Sequence, residues 1–359
     1  MSQRIEELRE KIDHVDQDLV ELLDQRARLV KEIGEIKQKK GMELYVPGRE
    51  REILKRFESM ELEDFPISSV KHIYREIIAT CLNLEKPLQI AYLGPEATFT
   101  HLAGLKQFGR ETELIPHETV SDVFNRVERD EVDFGIVPVE SSNEGAVKHT
   151  LDRFLNSTVS ICSEIYLRIN LYLLSRHDTL EDIHTVYSHS QALSQARRWL
   201  ETNLVNVEVK ETQSTAEAAR LVSEQNGAAA VASEVASDIY DLNILARKLE
   251  DRPDNYTRFL VLGNQIPEST GDDKTSIVFS VEDRPGALYE VLEIFGENEV
   301  NMTKIESRPS TDSTWNHVLF VDFLGHQSDS LIESLLSNLQ ERTPFSKILG
   351  SYPRQEPFE

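Results

Sequence analysis

A chain of 359 residues, 39% hydrophobic and 28% charged, is long enough for two or three domains and has the balance of an ordinary globular protein. Its formal net charge of −24 argues against nucleic acid and anionic membrane as partners, and two cysteines, Cys81 and Cys162, support neither a disulfide framework nor a cysteine metal site. The polar N-terminus has no secretion-signal core and no apolar run is long enough to cross a bilayer, so the cytoplasm is the expected compartment.

Residues 4–40 predict one long helix. Ile5, Leu8, Ile12, Val15, Leu19, Leu22, Leu29, Ile33 and Ile36 alternate spacings of three and four, the seam of a coiled coil that seeks a partner helix. Gly41 ends it, Pro47 opens a second helix to residue 57, and Pro66 precedes a third to about residue 85. Three helices with one so long leave the seam uncovered, which predicts a homodimer or larger homo-oligomer. Residues 1–86 hold 16 Lys/Arg against 19 Asp/Glu, a net of −3 that leaves −21 for the rest. The basic positions of this segment therefore merit individual attention.

Arg26 interrupts the seam between Leu22 and Leu29, a costly place for a charge unless an anion meets it. Lys37, eleven residues on, returns to nearly the same face ~16 Å along the axis, whereas Arg9 lies ~25 Å from Arg26 and reaches the same ligand only from another chain. A buried Arg–Glu pair fixing coiled-coil register is the alternative reading of the spacing. The stretches 8–13 (LREKID), 22–37 (LLDQRARLVKEIGEIK) and 45–52 (YVPGRERE), with the third helix, resemble the all-helical chorismate mutase family. The resemblance implies that Arg9 from a partner chain, Arg26 and Arg49 grip the two carboxylates of chorismate. It implies further that Lys37 meets the ether oxygen, that Glu50 holds a hydroxyl, and that Cys81 lines the site one turn before Glu85. Two positions depart from the family. Glu85 stands where many relatives have glutamine and can donate a hydrogen bond only when protonated; Val46 stands where some have aspartate.

From residue 88 short apolar strands (88–93, 134–139, 184–187, 228–232 and 258–262) alternate with helices, which predicts an α/β sheet with substantial parallel pairing. Three strand ends run into polar turns, at 94–101, 140–145 and 188–191, with Gln195 a turn further. Such ends, where helix N-termini offer free N–H groups, suit a small dianion; helix capping explains any one of them equally well. The segments 91–101 (AYLGPEATFTH), 137–147 (VPVESSNEGAV), 187–195 (YSHSQALSQ) and 255–259 (NYTRF) resemble prephenate dehydratase, a two-lobed fold similar to periplasmic binding proteins. The resemblance implies that Thr257 is essential for dehydration, with Ser188 and Gln195 in support and Arg258 near prephenate. Alternation along a strand puts Thr257 and Arg258 on opposite faces, which makes Arg258 the less catalytic of the two. Ser141 replaces the asparagine usual after the glutamate, so either it or Asn143 takes over that hydrogen bond.

Residues 267–274 (PESTGDDK) predict a polar linker, after which strand, helix, strand, strand, helix, strand to about residue 351 give an α+β domain of ferredoxin-like order. The turn into Gly286-Ala287-Leu288 and the strand from Asn301 through Glu306-Ser307-Arg308 resemble the ACT regulatory domain, whose effector is phenylalanine bound across a dimer. Tyr289 stands where a smaller apolar residue is common. The expected domains are thus 1–86 (mutase), 88–265 (dehydratase) and 274–354 (ACT), an arrangement that resembles the bifunctional chorismate mutase/prephenate dehydratase family. Chorismate and prephenate are the implied substrates, with no metal or cofactor. Two rival readings make the middle domain a ligand-binding module without catalysis, either as a phenylalanine-binding regulator or as the partner of the mutase.

Overall fold

A computed structural model of the chain describes residues 2–41, 45–143, 145–309 and 317–356. It divides into two units, residues 1–88 with 108–112 and the remainder.

The first unit is helical. α1 (Ser2–Lys40) is unbroken, α2 (Pro47–Glu58) begins on its proline, whose missing N–H would be unpaired there anyway, and α3 (Ile67–Glu85) follows Pro66. Helices α1 and α3 come together at Gly34, where a Cβ would lie 3.1 Å from the backbone of Glu85. The seam stays open: Ile12, Leu22 and Leu29 are 58%, 60% and 54% exposed.

In the second unit β1 (Gln89–Leu93), α4 (Phe99–Phe108), β2 (Glu113–His117), α5 (Val120–Glu128), β3 (Phe134–Ser141), the two-residue β4 (Gly145–Ala146), α6 (Lys148–Asn156) and β5 (Ser160–Arg168) form a first lobe. The chain then crosses to a second lobe of β6 (Tyr172–Ser175), β7 (Thr185–His189), α7 (Ser190–Gln195), α8 (Arg197–Asn203), β8 (Glu208–Thr212), α9 (Thr215–Glu224), β9 (Ala228–Ala232), α10 (Val235–Tyr240) and β10 (Asn243–Arg247). It returns as β11 (Tyr256–Gly263). The first sheet has the order β2-β1-β3-β11-β5 and the second β10-β6-β9-β7-β8. β1 pairs in parallel with β2 and β3, and β7 with β8 and β9, as the alternation predicts. The sheets are nevertheless mixed: in the first the returning β11 enters between β3 and β5 antiparallel to both, and in the second β6 runs antiparallel to β9 and β10.

The C-terminal segment is β12 (Asp273–Ser280), α11 (Ala287–Glu297), β13 (Met302–Pro309), β14 (His317–Leu324), α12 (Ser330–Arg342) and β15 (Phe345–Pro353), an antiparallel sheet ordered β13-β14-β12-β15. The linker ends earlier than its polarity predicts. Asp273 and Lys274 are already strand residues and are buried, the former because its carboxylate accepts the N–H groups of Thr270 and Gly271 at 2.7 and 3.0 Å. Helices α11 and α12 cover one face of this sheet around Phe279, Phe295 and Phe323. The other face shares a core with the first lobe, in which Val278, Phe320 and Leu349 meet Val123, Phe154 and Ile161. Gly350 is required at that junction, since a Cβ there would stand 2.3 Å from the carbonyl oxygen of Ile161.

Candidate active sites

In the helical unit the continuity of α1 and the absence of a side chain at Gly34 bring Lys37 to α3, where its Nζ donates to Glu85 Oε2 at 3.0 Å. Their side chains are 19% and 12% exposed. On the same helix Arg26 buries Nη1 with no hydrogen-bond partner. A buried guanidinium nitrogen left unpaired costs its full desolvation, so an anionic acceptor is the missing element. Glu50, in the first turn of α2, is partly buried. Burial raises its pKa to about 7 despite the opposing charge of Arg75, so the group is mixed in protonation near neutrality. Cys81 is buried one turn before Glu85. Arg49 is exposed and donates to Glu52 at 2.6 Å, and Arg9 is exposed far along α1. The structure thus joins Lys37 and Glu85 directly and leaves Arg9 outside the reach of Arg26 within one chain.

Between the two lobes lies a cleft of about 1040 Å³. Four helix starts border it: Phe99-Thr100 of α4, Thr119 before α5, Gln191 of α7 and Ser214-Thr215 at α9. Thr119 and Ser214 spend their hydroxyls on capping, accepting from Asp122 N and Glu217 N at 3.1 and 3.0 Å. Those two helix starts escape a reading by strand ends, but their Thr-x-x-Asp and Ser-x-x-Glu spacing is a capping-box signal legible in the sequence. His117, also on the cleft, buries Nε2 without a partner, and burial followed by Arg126 lowers its pKa, which keeps the ring neutral. Arg220 is the one lysine or arginine among the described lining residues. The lining also carries Glu118 and Glu217, so an anion would be met there by Arg220 and by the uncharged donors of the helix starts.

Thr257 and Gln195 both line it. A side-chain relay runs across its floor, from Asn143 Nδ2 to Asn255 Oδ1 at 3.0 Å and from Asn255 Nδ2 to Gln195 Oε1 at 2.9 Å. Ser141 is buried and accepts the Asn143 backbone N–H at 3.4 Å. Two expected substrate contacts are placed elsewhere. Ser188 is fully buried and donates to the Val231 carbonyl at 2.5 Å, so it supports the β7 end from beneath. Arg258 points away from the cleft, as strand alternation requires, and is 3% exposed. Its Nε donates to Glu164 at 2.8 Å, Nη1 to Asp322 at 2.5 Å and Nη2 to the Tyr352 hydroxyl at 2.9 Å. A side chain so committed is structural. Burial opposes the charge of Asp322, yet Arg258, Ser276 and Lys274 hold its pKa below the ordinary carboxylate value.

In the C-terminal segment Gly286 (φ +87°) precedes α11, a conformation that favours glycine, with Ala287 buried, Leu288 partly exposed and Tyr289 67% exposed. Asn301 leads into β13, where residues 304, 306 and 308 are the less exposed set and 305 and 307 the more exposed. Lys304 donates to Glu140 of β3 at 2.7 Å, and Arg308 pairs with Asp152 of α6 at 3.2 Å. Alternation puts Glu306 on the side of Lys304 and Arg308, and Ser307 on the other.

Comparison with known families finds three segments in order: chorismate mutase type II over residues 8–86, prephenate dehydratase over 90–267 and the ACT domain over 275–341. A bifunctional chorismate mutase/prephenate dehydratase of Aquifex aeolicus is 50% identical over 356 residues, 98% of each protein, and that of Pseudomonas aeruginosa is 44% identical over 98% of each. A prephenate dehydratase of Arthrobacter aurescens, solved in complex with L-Phe, superposes with a TM-score of 0.70 at 33% identity, covering 75% of this chain and 91% of that one. With this identity along the length of both proteins and the three segments in the same order, the chain belongs to the bifunctional chorismate mutase/prephenate dehydratase family and carries both activities.

Proposed function

We propose that two copies of the chain assemble each mutase site, and that the observation carrying this reading is the unpaired Arg26 Nη1 within an exposed apolar seam. A second α1 laid along the seam covers it and delivers Arg9 to the Arg26 end. Arg26, Arg49 and the partner's Arg9 then hold the two carboxylates of chorismate, while Lys37 and Glu85 face the ether oxygen. The rearrangement is pericyclic, so the site folds the substrate and stabilises developing charge, with no nucleophile. Glu85 contributes a donor only as the neutral acid, with Lys37 beside it; Glu50 takes the substrate hydroxyl and Cys81 packs behind.

Prephenate occupies the interlobe cleft against the helix starts and the Asn143–Asn255–Gln195 relay. Thr257 donates a hydrogen bond to the departing hydroxyl, which takes up a proton from solvent and leaves as water, as the ring carboxylate leaves as carbon dioxide and its electron pair completes the aromatic ring of phenylpyruvate. Asn143 fills the role left by Ser141. Phenylalanine, which the Arthrobacter aurescens relative binds, acts here as effector at Gly286, Ala287 and Leu288 together with Asn301, Glu306, Ser307 and Arg308. The protein works in the cytoplasm as a homodimer or larger homo-oligomer.

Chorismate added to pure protein, with prephenate and phenylpyruvate followed separately, tests the two sites. Prephenate should appear first and phenylpyruvate after it. Sedimentation should find no monomer at assay concentration, and a monomer with full mutase activity would overturn the shared site.

A further inference from the structure

We infer that Asp322, Tyr352 and Lys274 of the ACT domain are positioning residues for the dehydratase, holding Thr257 in place through Arg258 and Glu164. The inference rests on reading Thr257 as the dehydration residue. Thr257 and Arg258 are joined by one peptide in β11, one facing the cleft and the other the ACT sheet. Against β5 the register of β11 is unbroken from Tyr256 to Val261, but against β3 it shifts between Arg258 and Phe259, so the ladder holds Thr257 firmly on one side and less firmly on the other.

Side chains add a second constraint from the far face. Two of the three groups that accept hydrogen bonds from Arg258 come from the ACT domain, Asp322 on β14 and Tyr352 on β15. The third, Glu164 on β5, receives Lys274 Nζ at 2.8 Å on both carboxylate oxygens. Ser276 closes the ring, bonding Asp322 and the Tyr352 hydroxyl each at 2.6 Å. Arg258 and Lys274 balance Glu164 and Asp322, and all four are buried. A balanced, fully bonded cluster in low dielectric has one good geometry, so a shift of β14 or β15 must either carry Arg258 with it or leave a buried charge unpaired.

A second tie runs parallel. Lys304 on β13 donates to Glu140, which pairs across the sheet with Arg258 and precedes Ser141. The strand assigned to the effector is thus one ion pair from the cleft floor. On this arrangement phenylalanine acts by moving β13 and β14, and the Arg258 cluster transmits that movement to Thr257.

The test uses the full chain with Asp322→Asn, which keeps shape and removes charge, and Tyr352→Phe, which removes one acceptor. Since small misplacement of a reacting group lowers turnover steeply, the dehydratase kcat should fall about tenfold in the first and about threefold in the second. KM for prephenate should stay within about a factor of two and the mutase of the same molecules should be unchanged, which separates positioning from loss of fold. In both variants the phenylalanine concentration giving half-inhibition should rise relative to the dissociation constant measured by calorimetry. If Asp322→Asn does not fold, Tyr352→Phe decides. Wild-type kcat in the folded variants would overturn the inference. A Thr257→Ala protein with full dehydratase activity would instead remove the reading beneath it. Absence of phenylalanine binding would remove only the effector role and leave the kcat comparison decisive.

Discussion

Two charged sites, each centred on an arginine amid apolar surroundings, end in opposite ways. Arg26 in α1 keeps a buried nitrogen without a partner, while Arg258 in β11 has Nε, Nη1 and Nη2 all bonded. Both residues look alike in sequence, as cations among hydrophobic neighbours. The difference is whether the fold itself supplies the counter-charge. Where it does, the arginine belongs to the architecture; where it does not, as at Arg26, the proposed reading has a ligand complete the site.

Thr257→Ala tests the partition of the TRF triplet most sharply. Removing the polar member on the cleft, which Phe259 also lines, should lower dehydratase kcat by about 10²–10⁴, the span typical of a lost proton-transfer or donor group, with mutase rates intact. Equal losses in both reactions would place Thr257 in the fold and erase the contrast with Arg258.

The arginines themselves should then separate by stability. Arg258→Met strips a buried acid pair of its partner and should destabilise the unit by ~3–5 kcal/mol. Arg26→Leu extends the apolar seam and should leave the unfolding midpoint in denaturant unchanged or raised, while mutase kcat/KM falls about 10- to 100-fold for lost charged hydrogen bonds. Destabilisation by Arg26→Leu matching that of Arg258→Met would show that both are structural.

Much of this was legible in the residues. The seam over Ile5 to Ile36 specifies α1, and the helix–strand alternation specifies an α/β sheet with parallel pairing, because periodicity reflects which face is buried; the division into two lobes comes from the resemblance. The opposite facing of Thr257 and Arg258 follows from strand geometry alone. What filled the far side of β11 does not, since Asp322 and Tyr352 lie 64 and 94 residues away in sequence and a local pattern carries no information about such partners. The early end of the linker has the same origin: Asp273 and Lys274 look like solvent-exposed turn residues until Thr270 is seen to hydrogen-bond the first and Glu164 to pair with the second. Ser188 is the converse case, a hydroxyl at a strand end that donates to the main chain.

Protonation sharpens the picture of the open site. A carboxyl whose folded pKa is raised to about 7 from 4.5, as at Glu50, is bound to its proton more tightly in the folded chain. Its contribution to stability is complete below about 4.5 and is lost as pH climbs through about 7. The helical unit should therefore melt progressively lower across that window, and Glu50→Gln should remove the slope. At the proposed ether-oxygen contact Glu85 can donate a hydrogen bond only when protonated, whereas glutamine donates at any pH, so Glu85→Gln should flatten the pH–rate profile of the mutase. A pH–rate curve unchanged by Glu85→Gln would mean that Lys37 alone serves the ether oxygen.

The smallest effect tests how closely the open site is built. At Gly34 a methyl group would meet the Glu85 backbone at 3.1 Å and its Cβ at 3.2 Å, a contact that the helices relieve by parting a few tenths of an ångström. That movement is small for the fold, and alanine's better helix propensity offsets part of its cost by ~1 kcal/mol. It is not small for Lys37, one turn along on α1, whose Nζ meets Glu85 at 3.0 Å. Gly34→Ala should thus leave the melting temperature nearly unchanged and lower mutase kcat several-fold, with KM for chorismate and the dehydratase unaffected. Loss in KM with kcat preserved would assign the Lys37–Glu85 pair to substrate binding, and would make Arg26 the residue on which the rate depends.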